Sequence, residues 1–233
     1  MTRELIYGRN AVREALRGRR EVLELWVSER AAASLEWLGE GPRPQITKER
    51  DLTEAAGSPD HQGVVAWASP YPYADPWELA GSPMPLLACL DQVTDPRNLG
   101  AVIRSAAGAG ATGVIVPAHG AAQVTPAVCR SSAGTVEHLP VAVVPNLARY
   151  LAEIKRDDLW SYAATADAPQ TMWQADLTGG VALVFGAEGK GVRPLVRKTC
   201  DSSISRTRAA QASHPRRWSS NSAVRSGDSA PRT

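Results

Sequence analysis

The chain has 233 residues, 43% of them hydrophobic and 21% charged, an ordinary globular composition with room for one large α/β domain or two smaller ones. The opening MTRELIYGRN lacks an apolar core of signal-peptide length, and no apolar run approaches the roughly 18 residues of a membrane span, so a cytoplasmic protein with no membrane partner is expected. The net charge of +2 is uneven: six arginines against Asp228 alone follow Ser202, which leaves residues 1–201 near −3 and restricts any nucleic-acid footprint on the main body to a local patch.

In chain order, Leu5 to Gly8 is followed by Asn10, read as an N-cap, and by Ala11, Val12, Ala15 and Leu16 at helical spacing. Val22 to Val27 reads as a strand and Ala31 to Leu38 as a helix ending at Gly39. Gln45-Ile46-Thr47, a helical turn over Asp51–Ala56 and a clear strand over Val64–Ala68 complete a small α/β unit, residues 1–68. Residues 69–85 carry five prolines among Tyr71, Tyr73 and Trp77; they read as an extended linker whose aromatics pin it to one of the units.

The apolar run Leu86–Leu90 stops at Asp91, where a parallel strand would deliver the polar turn Thr94 to Asn98 to the ligand-bearing edge of a sheet. Leu99, Val102, Ile103, Ala106 and Ala107 recur at helical spacing with Arg104 off that face, and Gly113–Pro117 starts the next strand, giving a βαβ unit. A short helix over Val124–Ser132, a strand ending at Val144, a helix from Leu147 capped by Asn146 and a strand over Trp160–Thr165 follow. Asp167–Thr178 reads as a loop. Val181–Phe185 is the most apolar strand, fit for a central position buried on both faces. It runs into Gly186-Ala-Glu-Gly-Lys-Gly191, which has neither the dinucleotide spacing G-x-G-x-x-G nor the hydroxyl that must follow the lysine of a phosphate loop. Cys89, Cys129 and Cys200 lack metal-ligand spacing and read as buried small side chains, so no metal is expected.

Three blocks carry a resemblance: DxxxDPRNLGAVIRSA (Asp91–Ala106), SAGTVEHLPV (Ser132–Val141) and LVFGAEGKGV (Leu183–Val192). In that order they resemble the SpoU family of RNA ribose 2'-O-methyltransferases, over roughly residues 5–204. Tyr7–Val12 and His61–Ala66 are similar to the substrate-binding domain of its ribosomal-RNA branch. The resemblance implies a SPOUT-type trefoil-knotted parallel sheet over residues 86–204 behind an RNA substrate-binding domain, S-adenosyl-L-methionine as cofactor, a homodimer, and a guanosine of 23S ribosomal RNA as substrate. A transfer-RNA substrate and an RNA-binding protein without catalysis are the alternatives.

The resemblance also implies that Asn98, Arg104 and Glu188 are catalytic and that Thr165, Gly186, Ala187 and Ile204 hold the cofactor. Arg104 is a poor base above a pKa of about 12, but its guanidinium suits a phosphate clamp that fixes the nucleophile; a deprotonated arginine acting as base is the other option. Asn98 would orient Arg104 or the ribose, and Glu188 would hold either. Without the resemblance, Arg104 reads as a solvated charge and Asn98 as a helix cap. Ser132 and Gly134 stay open between turn chemistry and the border of the site, and His61 and Gln62 between the fold and an RNA-facing surface. From Ile204 the chain departs from the family pattern and reads ISRTRAAQASHPRRWSS, without the expected asparagine turn and apolar helix. Residues 205–233, serine-rich and almost without aliphatic side chains, are expected to be a disordered tail, read either as a basic RNA-binding extension or as the product of a shifted frame.

Overall fold

The computed structural model of the chain describes residues 2–205. Strand β1 (Glu4–Tyr7) yields at Gly8 to α1 (Arg9–Arg17). Gly8, at φ 95°, is the cap, and its carbonyl accepts from Val12 N at 3.0 Å, so Asn10 sits inside the first turn rather than capping it. After β2 (Val22–Val27), α2 (Glu29–Ala32) starts where the Ser28 side chain accepts from Ala31 N. The helix expected from Ala31 to Leu38 stops after this turn, where the Ser34 hydroxyl donates to the Arg30 and Ala31 carbonyls; a 3-10 turn over Glu36–Glu40 follows. Then come β3 (Gln45–Ile46), α3 (Glu49–Ala56) with its left-handed stop at Gly57, and β4 (Val64–Ala68). Among the described residues these strands form a four-stranded sheet in the order β1-β4-β2-β3.

The proline-rich stretch is not extended throughout. Asp75 Oδ1 accepts from Trp77 N and Glu78 N, Pro76 occupies the first turn where no donor is needed, and α4 (Pro76–Gly81) results. Tyr71 is buried, with its hydroxyl donating to Val136 O at 3.0 Å, while the Tyr150 hydroxyl donates to Pro76 O at 2.7 Å. The aromatics thus pin this stretch to the second half of the chain.

That half contains β5 (Leu86–Asp91), α5 (Pro96–Gly108), β6 (Gly113–Pro117), α6 (Pro126–Ser131), β7 (Val141–Val144) and α7 (Leu147–Glu153). It continues with β8 (Leu159–Ala164), β9 (Gln170–Thr171), β10 (Gly180–Gly186), α8 (Pro194–Thr199) and β11 (Ser202–Ser205). Among the described residues the strands form a seven-stranded parallel sheet, β7-β6-β5-β10-β8-β11-β9, with helices on both faces. The period of two in β5 divides them: Ala88 and Leu90 pack with Leu99 and Ile103 of α5, whereas Leu87 and Cys89 pack with Leu147 and Leu151 of α7 and Val196 of α8. The segment expected to be a loop contributes the edge strand β9.

The first of these cores is shared. Ile6, Val12 and Ala66 of the N-terminal sheet unit belong to the same cluster as Leu90, Leu99 and Val128. No helix among the described residues is long and apolar enough to cross a membrane. Ser205, expected to open the tail, instead ends β11, and the rest of the expected tail, residues 206–233, lies outside the described residues.

Candidate active site

Four parallel strands end in register at one edge: Asp91 of β5 beside Gly186 of β10, Phe185 beside Ala164 of β8, and Ala164 beside Ile204 of β11. The helices after β5 and β10 leave towards opposite faces, so a crevice opens between these two strand ends, the position that open α/β sheets use for ligands.

The crevice is held by a carboxylate fully out of solvent. Asp91 Oδ2 accepts from Arg193 N and Oδ1 from Arg193 Nε, both at 2.8 Å, which anchors the turn after β10 to the end of β5. Within that turn Gly191 N donates to Ala187 O at 2.8 Å, and a Cβ on Gly186 would lie 1.9 Å from the Gly191 carbonyl carbon, so no other residue fits there. Gln92, at φ 59°, turns the chain out of β5, and Asp95 caps α5 by accepting from Arg97 N at 2.8 Å.

These constraints leave a cavity of about 420 Å³ with Leu90, Val93, Val102 and Phe185 as its apolar walls and Thr94, Asp95, Asn98 and Glu188 as its polar ones. It therefore brings together four of the sequence-predicted residues: Asn98, Gly186, Ala187 and Glu188. Asn98 and Glu188 are exposed, and neither side chain has a hydrogen-bond partner among the described residues, which leaves an amide and a carboxylate for a ligand.

Thr165 and Ile204 form a second group one strand further along. Thr165 N donates to Ile204 O at 2.9 Å, and the Thr165 Oγ1 is buried without a hydrogen-bond partner among the described residues. Arg197, 2.9 Å from Asp167, holds that carboxyl below its ordinary range, and the Thr165 hydroxyl favours its charged form from nearby without reaching bonding geometry.

Arg104 is not in the cavity. It lies six residues after Asn98 on one helix, and six steps of 100° leave it a third of a turn away, exposed on the outer side of α5. Arg97, seven residues before it, shares that side.

The residues with open readings are also placed. The Ser132 hydroxyl is fully buried and donates to Cys129 O at 3.1 Å, while a Cβ on Gly134 would meet Glu14 and the Asn10 carbonyl, so both serve packing. His61 is buried, its Nδ1 accepting from Gly63 N at 3.0 Å and its Nε2 lying 3.0 Å from Thr53 Oγ1, a role in the fold. Burial pushes the thiols of Cys129 and Cys200 up to about 11, unsuited to nucleophilic work near neutral pH. Among the described residues no group of three or more His, Cys, Asp or Glu side chains could hold a metal ion.

Sequence reasoning missed Arg193. The available signal was Asp91 itself, a lone acid ending an apolar strand, because a carboxylate there has to find a cationic partner.

The chain is similar to proteins of known kind. Residues 85–210 match the model of the SpoU rRNA Methylase family and residues 5–74 that of RNA 2'-O ribose methyltransferase substrate binding. A 23S rRNA (guanosine-2'-O-)-methyltransferase of Pseudomonas putida is 40% identical over 213 residues, 85% of this chain and 84% of that protein. An uncharacterized tRNA/rRNA methyltransferase of Synechocystis is 35% identical over 85% of this chain, which spans 55% of that longer relative. Among solved structures, the SpoU methyltransferase AviRb from Streptomyces viridochromogenes in complex with AdoMet superposes with a TM-score of 0.72 at 26% identity, over 90% of this chain and 83% of that one.

Proposed function

The chain belongs to the SpoU rRNA methylase family, and on that premise we propose that it transfers a methyl group from S-adenosyl-L-methionine to the ribose 2'-hydroxyl of a guanosine in 23S ribosomal RNA. The observation that carries this reading is the 40% identity to the Pseudomonas putida enzyme, spread over both matched regions instead of one motif.

The residues present fit the cofactor. A buried Thr165 hydroxyl without a partner is costly unless a ligand satisfies it, and it stands at the same sheet edge as the tight Gly186 turn. Thr165, Gly186, Ala187 and Ile204 would hold it, and when bound it supplies a methyl group on sulfonium sulfur as the electrophile. The chain's own contribution is position. Asn98 offers an amide that can hold the ribose hydroxyl in line, and Glu188, across the same cavity, can accept a hydrogen bond from that hydroxyl or from Asn98. Arg104 acts as a clamp on a phosphate of the RNA strand running along the outer side of α5, not as a base within the cavity.

The family reading extends to a homodimer and a trefoil knot. Support for the dimer is an apolar hollow of about 360 Å³ on the side of α5 and β10 beside the cavity, walled by Val102, Ala106, Leu183 and Phe185, which a second copy would cover. An RNA-modifying enzyme of this kind meets its ribosomal substrate in the cytoplasm.

The sequence after Ile204 favours one further reading, a binding protein without catalysis, because the family's closing asparagine turn is missing there. Calorimetric titration with S-adenosylmethionine separates the two. Saturable one-to-one heat is expected from the enzyme, and its absence at millimolar cofactor would leave only the binding protein.

A further inference from the structure

A polar cavity separate from the candidate active site lies elsewhere in the molecule. It is a cleft of about 590 Å³ between the N-terminal sheet unit and the second sheet, a volume suited to one nucleotide. Tyr7 and Asn10 line it from the β1–α1 corner, Asp60 and Gln62 from the turn before β4, and Arg97 and Arg130 from α5 and α6.

Its side chains fall into complementary kinds. Tyr7 is half-buried and offers an aromatic ring, and the Asn10 amide is exposed. Neither side chain has a hydrogen-bond partner among the described residues, and the same holds for the Arg97 guanidinium. Asp60 is the lone acid lining the cleft, and Arg130 lies 2.7 Å from it, so two guanidiniums against one carboxylate leave a net positive lining. That charge stands on a main body whose net charge is negative, which is the local patch an RNA-binding surface there requires. Small residues, among them Ala11, Ala127 and Ala133, keep the cleft open.

The backbone points to the same place. Four non-glycine residues among the described ones take φ values in the left-handed region, and two of them, Gln62 at 55° and Ala133 at 53°, line this cleft from opposite sides. Gln62 is held there by Arg9, whose N donates to Gln62 Oε1 and whose Nε donates to Gln62 O, both at 3.1 Å.

Arg97 and Asn98 are neighbours in the first turn of α5, one lining the cleft and the other the cavity, so a strand crossing that turn reaches both. We propose that the cleft is a subsite for an unpaired nucleotide flanking the methylated guanosine, its base stacked on Tyr7 with Asn10 on its edge and its phosphate held by Arg97 and Arg130. The proposal rests on the RNA-methylating reading and adds a place where the strand is gripped. Single-stranded bases are commonly read by aromatic stacking and amide contacts of this kind, with arginine on the backbone.

The test uses the full chain and a short 23S ribosomal RNA hairpin bearing an unpaired loop, titrated by fluorescence anisotropy at several salt concentrations. Asn10→Ala and Arg97→Ala remove exposed side chains that hold nothing else, so both variants should fold. Each is expected to weaken binding roughly tenfold, and Arg97→Ala to lower the salt slope by about 0.7, one phosphate contact on a single strand. Tyr7→Phe should bind as the parent does, because it keeps the ring. Wild-type affinity and salt slope in both Asn10→Ala and Arg97→Ala would overturn the subsite while leaving the enzyme reading intact. Failure of the parent protein to bind the hairpin at all would overturn both.

Discussion

At the scale of single residues, the candidate site depends on side chains that have nothing else to do. Asn98 and Glu188 face a cavity without partners, and Thr165 hides a hydroxyl that the described residues do not satisfy. Arg104 is a different case, because it sits on the exposed side of α5. Arg104→Ala should therefore leave the folding free energy within about 0.5 kcal/mol of the parent, as a surface substitution does, and leave cofactor affinity near that of the parent, while ribose methylation falls by roughly two orders of magnitude or more. Thermal melts, calorimetry and a methylation assay check the three parts, and a fully active variant would refute the clamp. Gly186→Ala should behave in the opposite way. Its Cβ would lie 1.9 Å from backbone, which cannot give way as a flexible side chain does, so cofactor binding should be lost together with stability. Calorimetry that shows an unchanged cofactor affinity would sink the role of this turn.

At the scale of elements, much of the second half was legible. The three- and four-residue spacing from Leu99 to Ala107 gives α5, and the apolar run Val181–Phe185 gives β10, which takes the expected central place between β5 and β8, but only its Ala182 and Val184 face is fully buried, while Leu183 and Phe185 border an open apolar hollow. Failures came where a local cap outweighed composition. Five prolines between Ser69 and Pro85 argued for extended chain, yet Asp75 followed by Pro76 is an N-terminal helix signal in itself, and α4 forms. The site was half legible: the cavity gathers Asn98, Gly186, Ala187 and Glu188, but one helix presents Asn98 and Arg104 to different sides. Which strands stand side by side is set by long-range pairing, so the place of Thr165 and Ile204 relative to Gly186 had no sequence signal apart from the family resemblance.

Asp201, just before β11, accepts from Ser161 N at 2.8 Å and Ser161 Oγ at 2.7 Å in β8, and pairs with Lys155 at 2.7 Å. Burial alone would raise its carboxyl, but Lys155 and the two Ser161 donors hold it below the ordinary value. A lowered folded value means that its contribution to stability is fully present above the unfolded carboxylate pKa, near 4, and is lost as the pH falls through the folded value. Asp201→Asn should therefore be less stable than the parent near neutral pH, with the difference shrinking below about pH 4. Denaturant titrations at pH 7 and pH 3 measure it, and an equal loss at both would contradict the assignment.

At the scale of the whole molecule, the two sheets behave as one body. The core that holds Ile6 and Val12 also holds Leu90 and Leu99, and Arg20 runs from the N-terminal unit into the second, where its Nε donates to Glu137 Oε2 at 3.0 Å and its second amino group reaches Glu137 Oε1. Burial opposes the charge on Arg20, yet the Glu137 hydrogen bonds and the charge of Glu137 keep it firmly protonated. Glu137→Ala would take from that buried guanidinium its only buried carboxylate and leave it the partly exposed Glu4 at 3.2 Å, at a cost approaching about 3–5 kcal/mol. The parent should unfold in a single calorimetric transition, and Glu137→Ala should lower its midpoint sharply. Two separate transitions in the parent would contradict the shared core.

If this cavity methylates ribose on 23S ribosomal RNA, nucleoside mass spectrometry of the treated RNA will show the product. The full chain is incubated with unmethylated 23S ribosomal RNA and isotope-labelled S-adenosylmethionine, and the digested RNA is searched for labelled nucleosides. The expected product is 2'-O-methylguanosine at one position, absent with Asn98→Ala; no labelled nucleoside, or label on a base instead of a ribose, would contradict the account.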